Sequence, residues 1–248
     1  MVKQPELAFW LERSNISACE IAVLLGYRTV ILDMEHGAIG AESCDSIVAM
    51  SRALGLRCLV RVAAATRLLI QQALDYDADG VILPQIEDVR HAQEVCTFAK
   101  YPPLGTRGVG YSRAMKYGIG MAIDDSFFVA ENRRTTCYPM IETAGALRDA
   151  EAIAALKTVD GIFIGPSDLS MSRGRGAFSF RAEDKADFLS VVQAVRNQGK
   201  DFALPAPSLA VFAFAREQGA SYVTVCDDLT ALRVGLEMGL EVVKGVPQ

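Results

Sequence analysis

Short apolar runs recur along the chain, and between them lie segments whose apolar residues return every three or four positions. The runs are Leu7–Trp10, Thr29–Met34, Arg57–Val62, Gly80–Gln85, Thr136–Ile141, Gly161–Gly165, Asp201–Pro205 and Tyr222–Cys226. Their length and β-branched content predict strands, and their nearly continuous apolarity suits a parallel sheet covered on both faces. The intervening segments predict helices at Ala18–Leu25, Ser46–Leu54, Leu68–Leu74, Val89–Phe98, Ala146–Leu156, Phe188–Val195, Leu209–Arg216 and Leu229–Leu240. Eight strands, each followed by a helix, predict an α/β fold of the single (β/α)8 TIM-barrel type. A doubly wound open sheet is the rival architecture, but it expects a glycine fingerprint after the first strand, and none is there. Because no linker-like stretch divides the chain, residues 1–248 read as one domain. The connection Tyr101–Arg134 is too long for a plain helix. With Pro102-Pro103 and the glycine-rich stretch Gly105–Gly110, it reads as a lid or binding loop.

Composition changes this picture only at its edges. With 51% apolar and 22% charged residues, the chain has the make-up of an ordinary globular protein. A net charge of −5 without a basic run speaks against nucleic acid or an anionic membrane as partner. The six cysteines are scattered, with no C-x-x-C pair, and Cys58, Cys137 and Cys226 fall in apolar runs where a free thiol behaves as a small hydrophobe. The opening Met-Val-Lys-Gln-Pro-Glu has no signal-peptide core, and no stretch is long enough to span a bilayer, so a reduced, cytoplasmic protein is expected.

The candidate chemistry sits at strand ends. In a (β/α)8 barrel the carboxyl ends of all strands converge on one mouth. Glu142 and Asp168 each close an apolar run and lead into a helical segment. Two acids brought together there repel, so one keeps its proton or a cation lies between them. Mg²⁺ takes one or two carboxylates plus water and substrate oxygens, which fits this pair; zinc would want a His/Cys cluster that is missing. Either acid alone could instead serve a helix start. His36, in Asp33-Met-Glu-His-Gly37, has carboxylate neighbours that suit a general base, whereas His91 lies in a polar helix and reads as a surface residue. Arg61 lies inside an apolar strand, where it pairs with a barrel acid or faces an anionic substrate. Asp75, late in a helix, reads as a solvated helix acid. No lysine ends a strand, which disfavours Schiff-base chemistry. Neither Pro205–Ser208 nor Cys226–Leu229 forms a glycine-rich phosphate cradle.

Taken together and in order, Ile31–Gly37, Val60-Arg-Val62, Ala78–Pro84, Tyr101–Gly110, Ile141-Glu-Thr143 and Asp160–Ser170 resemble the HpcH/HpaI aldolase family of metal-dependent class II pyruvate aldolases, over roughly residues 15–240. The resemblance implies a (β/α)8 fold with Glu142 and Asp168 as metal ligands for Mg²⁺, Mn²⁺ or Co²⁺. It implies His36 as catalytic base, Arg61 as the stabiliser of the transition state, and Asp75 as the partner that raises the basicity of the histidine. Gly165-Pro166-Ser167-Asp168 would contact substrate, with Ser167 offering its backbone. The implied reaction is reversible aldol cleavage of a 4-hydroxy-2-oxo acid to pyruvate and an aldehyde through a metal-stabilised pyruvate enolate. Oxaloacetate decarboxylation, or enolate chemistry of the macrophomate-synthase kind, is the alternative on the same site. Citrate-lyase-like thioester chemistry and a catalytically silent barrel fit less well. The resemblance further implies a homo-oligomer, a hexamer built as a trimer of dimers, with the last helix exchanged between subunits. Two departures from the family pattern bear on the substrate. Met140 stands where a glutamine is usual, and the segment before the first strand is short.

Overall fold

Each strand of this chain is buried on both faces, and the sheet meets that demand by closing on itself. The computed structural model describes residues 4–120 and 122–244. Its strands are β1 (Glu6–Leu11), β2 (Thr29–Asp33), β3 (Arg57–Arg61), β4 (Gly80–Leu83), β5 (Thr136–Ile141), β6 (Gly161–Ile164), β7 (Asp201–Pro205) and β8 (Tyr222–Asp227). They pair in sequence order, all parallel, and β8 closes on β1 with a register shift between Ala8 and Phe9. Side chains alternate across this wall. On β2, Val30 and Leu32 join the core between strands and helices, while Ile31 joins a separate core built of strand residues alone. That inner core contains Leu59, Ile82, Tyr138, Met140, Phe163 and Tyr222, with Trp10 packed against it. Tyr138 and Tyr222 meet edge-on, 5.7 Å between ring centres. Fully burying one large apolar side chain contributes roughly 1.5–3 kcal/mol, so this plug gives the mouth above it a rigid floor.

The surrounding helices are α1 (Ile16–Leu24), α2 (Ala41–Ala53), α3 (Arg67–Asp75), α4 (Val89–Val95), α5 (Asp125–Arg134), α6 (Ala144–Arg148), α7 (Ala150–Ala155), α8 (Pro166–Ser172), α9 (Ala182–Asn197), α10 (Leu209–Glu217) and α11 (Asp228–Lys244). Several start on a side-chain cap that satisfies an orphan amide: Asn15, Thr66, Asp88, Thr143 and Ser208 each accept from the N–H three residues on.

The structure departs from the expected elements in three places. The helix expected at Ala146–Leu156 is two short ones, because Asp149 leaves helical geometry and its carboxylate accepts from the Val89 amide at the start of α4. The helical segment expected after Asp168 is α8, which starts earlier, at Pro166 directly after β6, and so carries Asp168 in its first turn. Finally, the long connection is not one open loop: after a 3₁₀ turn at Arg113–Gly118 it forms α5, capped by Asp124. Buried Lys100 anchors this connection. Its ammonium donates to the carbonyls of Asn132 (2.8 Å) and Thr135 (2.6 Å) and pairs with Asp160 at 2.7 Å. Among the described residues no helix is long and apolar enough to cross a membrane.

Candidate active site

The mouth of the barrel is organised by Asp33, the last residue of β2. Arg61, the last residue of β3, lies beside it in register and grips it with two nitrogens, Nε to Oδ1 at 2.9 Å and Nη2 to Oδ2 at 2.5 Å. The indole N–H of Trp10 donates to the same carboxylate at 3.2 Å, and the Arg61 guanidinium lies over that indole, 4.8 Å from its ring centre. Although burial opposes it, Arg61 together with the His36 amide and Trp10 holds the Asp33 carboxyl below its ordinary range. Asp33 Oδ1 also accepts from the amides of Glu35 (3.0 Å) and His36 (3.2 Å), which folds residues 33–37 into a tight turn. Gly37 closes that turn: a Cβ there would lie 2.2 Å from the Asp33 carbonyl and 2.7 Å from that of Glu12. The turn presents His36 with its side chain 63% exposed and its Nε2 3.9 Å from Glu35 Oε2. Glu35 in turn takes the third nitrogen of Arg61 at 3.0 Å. Both readings of Arg61 therefore meet: it is paired with a barrel acid, and it lines the mouth.

Glu142 follows β5 and is 1% exposed. One oxygen accepts from the backbone N–H of Gln85 at 2.5 Å, a contact made possible by the left-handed backbone of Gln85 (φ 54°). The other oxygen, Oε2, is buried and has no hydrogen-bond partner among the described residues. Burial pushes the carboxyl up to about 7, with repulsion from Glu35 and Asp168 adding to it against the Gln85 amide and Arg61. Asp168 lies in the first turn of α8, next to exposed Ser167 and after buried Gly165 and Pro166. The chain can pass this close only because residue 165 is glycine: a Cβ would fall 2.6 Å from Glu142 Oε2.

One cavity of about 470 Å³ takes in these groups: His36, Arg61, Glu142, Gly165, Pro166, Ser167 and Asp168 all line it. Trp10, Met140 and Phe163 form its apolar floor, and Glu12, Phe178, Pro205, Pro207 and Asp227 contribute to the rest of the wall. An orphaned, buried carboxylate oxygen beside a second carboxylate is a hard-oxygen donor set that fits a divalent cation such as Mg²⁺ or Mn²⁺. Among the described residues no third His, Cys, Asp or Glu joins the pair, so water and substrate would complete such a shell.

Asp75 is placed elsewhere. It ends α3 and pairs with the buried guanidinium of Arg107 at 2.8 Å, and within the chain it makes no hydrogen bond or ion pair with His36 among the described residues. Asp33, Trp10 and the Gln85 amide belong to the site although sequence reasoning did not assign them to it. Trp10 and Asp33 carried a signal, since each lies at or one residue from the carboxyl end of its strand. Gln85 carried none, since it acts through its backbone.

The HpcH/HpaI aldolase/citrate lyase family model matches residues 6–222. The chain belongs to that family. It is 36% identical over 183 residues to a 4-hydroxy-2-oxovalerate aldolase of Novosphingobium aromaticivorans, covering 71% of this chain and 67% of the relative. A hydroxypyruvate/pyruvate aldolase of Roseobacter denitrificans is 28% identical over 224 residues, covering 90% and 86%. The crystal structure of an HpcH/HpaI aldolase from Desulfitobacterium hafniense superposes with a TM-score of 0.89 at 26% identity, over 98% of this chain and 94% of that one. As a member of the HpcH/HpaI aldolase family, this chain is a carbon–carbon lyase.

Proposed function

We propose that the protein catalyses reversible aldol cleavage of a 4-hydroxy-2-oxo acid to pyruvate and an aldehyde, with a divalent cation held by Glu142 and Asp168. The observation that carries this reading is the unpartnered, buried Oε2 of Glu142, a residue that lines one cavity with Asp168, Arg61 and His36. A bound divalent cation would supply Lewis acidity toward the 2-oxo acid and offset the charge of the two carboxylates.

The remaining steps belong to this chain's own side chains. His36 takes the proton of the C4 hydroxyl, the C4–O bond becomes the aldehyde carbonyl, and the electron pair of the C3–C4 bond passes into the pyruvate enolate. Arg61, held in place by Asp33, Glu35 and Trp10, faces the negative charge that develops on the keto oxygen. Protonation at C3 then gives pyruvate. Gly165 and Pro166 set the approach of the chain to Glu142, and the exposed Ser167–Asp168 segment offers backbone to the substrate. General-base catalysis commonly contributes about 10²–10⁴-fold, the scale expected for His36.

Asp75 stays in the proposal as a positioning residue whose partner within the chain is Arg107. Its contact with His36 then comes from a neighbouring copy, against the exposed side of the imidazole. An assembly of copies is supported by α11, where Leu232, Leu236, Met238 and Leu240 are each more than half exposed.

The test is pyruvate release from 4-hydroxy-2-oxovalerate. Wild type is expected to be active with Mg²⁺ or Mn²⁺ and silenced by chelator, and Glu142→Ala to lose at least about 10³-fold. Chelator-insensitive cleavage at a near wild-type rate by Glu142→Ala would refute the reading.

A further inference from the structure

The cavity is unevenly charged. Its lining carries four carboxylates, Glu12, Glu142, Asp168 and Asp227, against one guanidinium and one imidazole. Arg61 is already engaged by Asp33 and Glu35 through all three of its nitrogens. Glu142 and Asp168 follow β5 and β6, whereas Glu12 follows β1, directly opposite β5 in the ring of strands, and Asp227 ends β8, the strand beside β1. A 2-oxo acid seated against Glu142, Asp168 and Arg61 therefore directs its far end toward Glu12 and Asp227.

Neither of these two acids has a salt bridge among the described residues. The Asp227 carboxylate accepts the Thr230 amide at 2.7 Å, and the backbone beside Glu12 is pinned by Asp228, which accepts from the Glu12 and Arg13 amides at 2.9 and 3.0 Å. Burial raises the Glu12 carboxyl, and Asp227, Asp33 and Asp228 add to this, with only exposed Arg13 opposing them. The geometry thus leaves an anionic wall on the β8–β1 side of the cavity.

We propose that Glu12 and Asp227 form the aldehyde-end subsite, admitting neutral hydroxylated or cationic tails and rejecting tails that carry a carboxylate, sulfonate or phosphate. This rests on the proposed function, since it takes the 2-oxo acid end to lie at Glu142 and Asp168. Like charges left unpaired in a partly desolvated cavity repel far more than they do in bulk water, and rejection of the wrong substrate by such repulsion is an effective route to specificity.

The experiment is calorimetric titration of the Mn²⁺-loaded, full-length protein with 2-oxohexanoate and 2-oxoglutarate, whose tails are similar in length but differ in charge. Wild type is expected to bind the neutral acid at least about tenfold more tightly, and the double variant E12Q/D227N to narrow the gap to within about threefold. Both substitutions keep the side-chain shape, and the amide oxygen introduced by D227N still accepts from the Thr230 backbone. As a second measurement that needs no variant, the wild-type gap should shrink when salt is raised from about 20 to about 300 mM. Equal wild-type affinities, or a gap unmoved by both the substitutions and salt, overturn the subsite. Binding of neither acid overturns instead the seating of 2-oxo acids on which the subsite depends.

Discussion

At Glu142 a single buried carboxylate couples folding to pH. Its folded-state carboxyl titrates at about 7, above the ordinary value of 4.5, so the fold prefers the neutral acid. A raised carboxylate leaves stability untouched below pH 4.5, lowers it progressively as pH climbs toward 7, and imposes the full cost above that. The metal-free Glu142→Gln variant keeps an acceptor for the Gln85 amide and loses this cost. It is expected to exceed the metal-free wild type at pH 8 by up to roughly 3 kcal/mol, and to match it near pH 4. Urea unfolding in chelator at both pH values measures the difference; a wild type as stable as the variant at pH 8 would contradict it. The acid pair itself was legible in the sequence because both members close apolar runs. What the sequence could not show is that one of them would be fully desolvated with an unpaired oxygen, since that depends on the Gln85 backbone and on how closely Gly165 approaches. For the same reason Arg61 remained open between two roles: its partner Asp33 lies 28 residues away and meets it only through strand register.

Among the elements, the strands were the most legible, because burial on both faces leaves an unbroken apolar signature. The helices were less so. α8 showed only as a helical lead-in at Asp168, without bounds, because it is seven residues long and starts on Gly165-Pro166, too short for a helical period to show. α5 was hidden within a stretch whose prolines and glycines read as loop. Both misreadings follow from length and composition, and neither altered which residues reach the mouth. The junction between β6 and α8 matters most to the site. Gly165 has an extended backbone that any residue could adopt, so its requirement is purely one of space. Gly165→Ala would force its methyl into Glu142 and against the Met140 methyl, 3.1 Å away. It is expected to cost about 1–3 kcal/mol in stability and at least about tenfold in Mn²⁺ affinity. Thermal denaturation together with metal titration checks both, and unchanged metal affinity would show that the close packing is irrelevant to the site.

For the whole molecule, the barrel of one chain leaves two surfaces uncovered: the apolar face of α11 and the open side of His36. Sequence periodicity marked α11 as amphipathic but could not tell a core-facing helix from one that meets another copy. In the structure α11 touches only β1 and β8 among the elements in substantial contact with it, and its leucines face outward. Light scattering is expected to show an oligomer, and the L232D/L236D variant to dissociate it; a monomeric wild type would remove the basis for a site completed by a second copy. The central claim, that Glu142 and Asp168 hold a divalent cation, is tested most directly by calorimetric Mn²⁺ titration of the wild type and of Glu142→Ala, each with and without pyruvate. The expected result is a site in the wild type, tightened by pyruvate and weakened at least about a hundredfold in the variant. Equal Mn²⁺ binding by both proteins, unaffected by pyruvate, would contradict it.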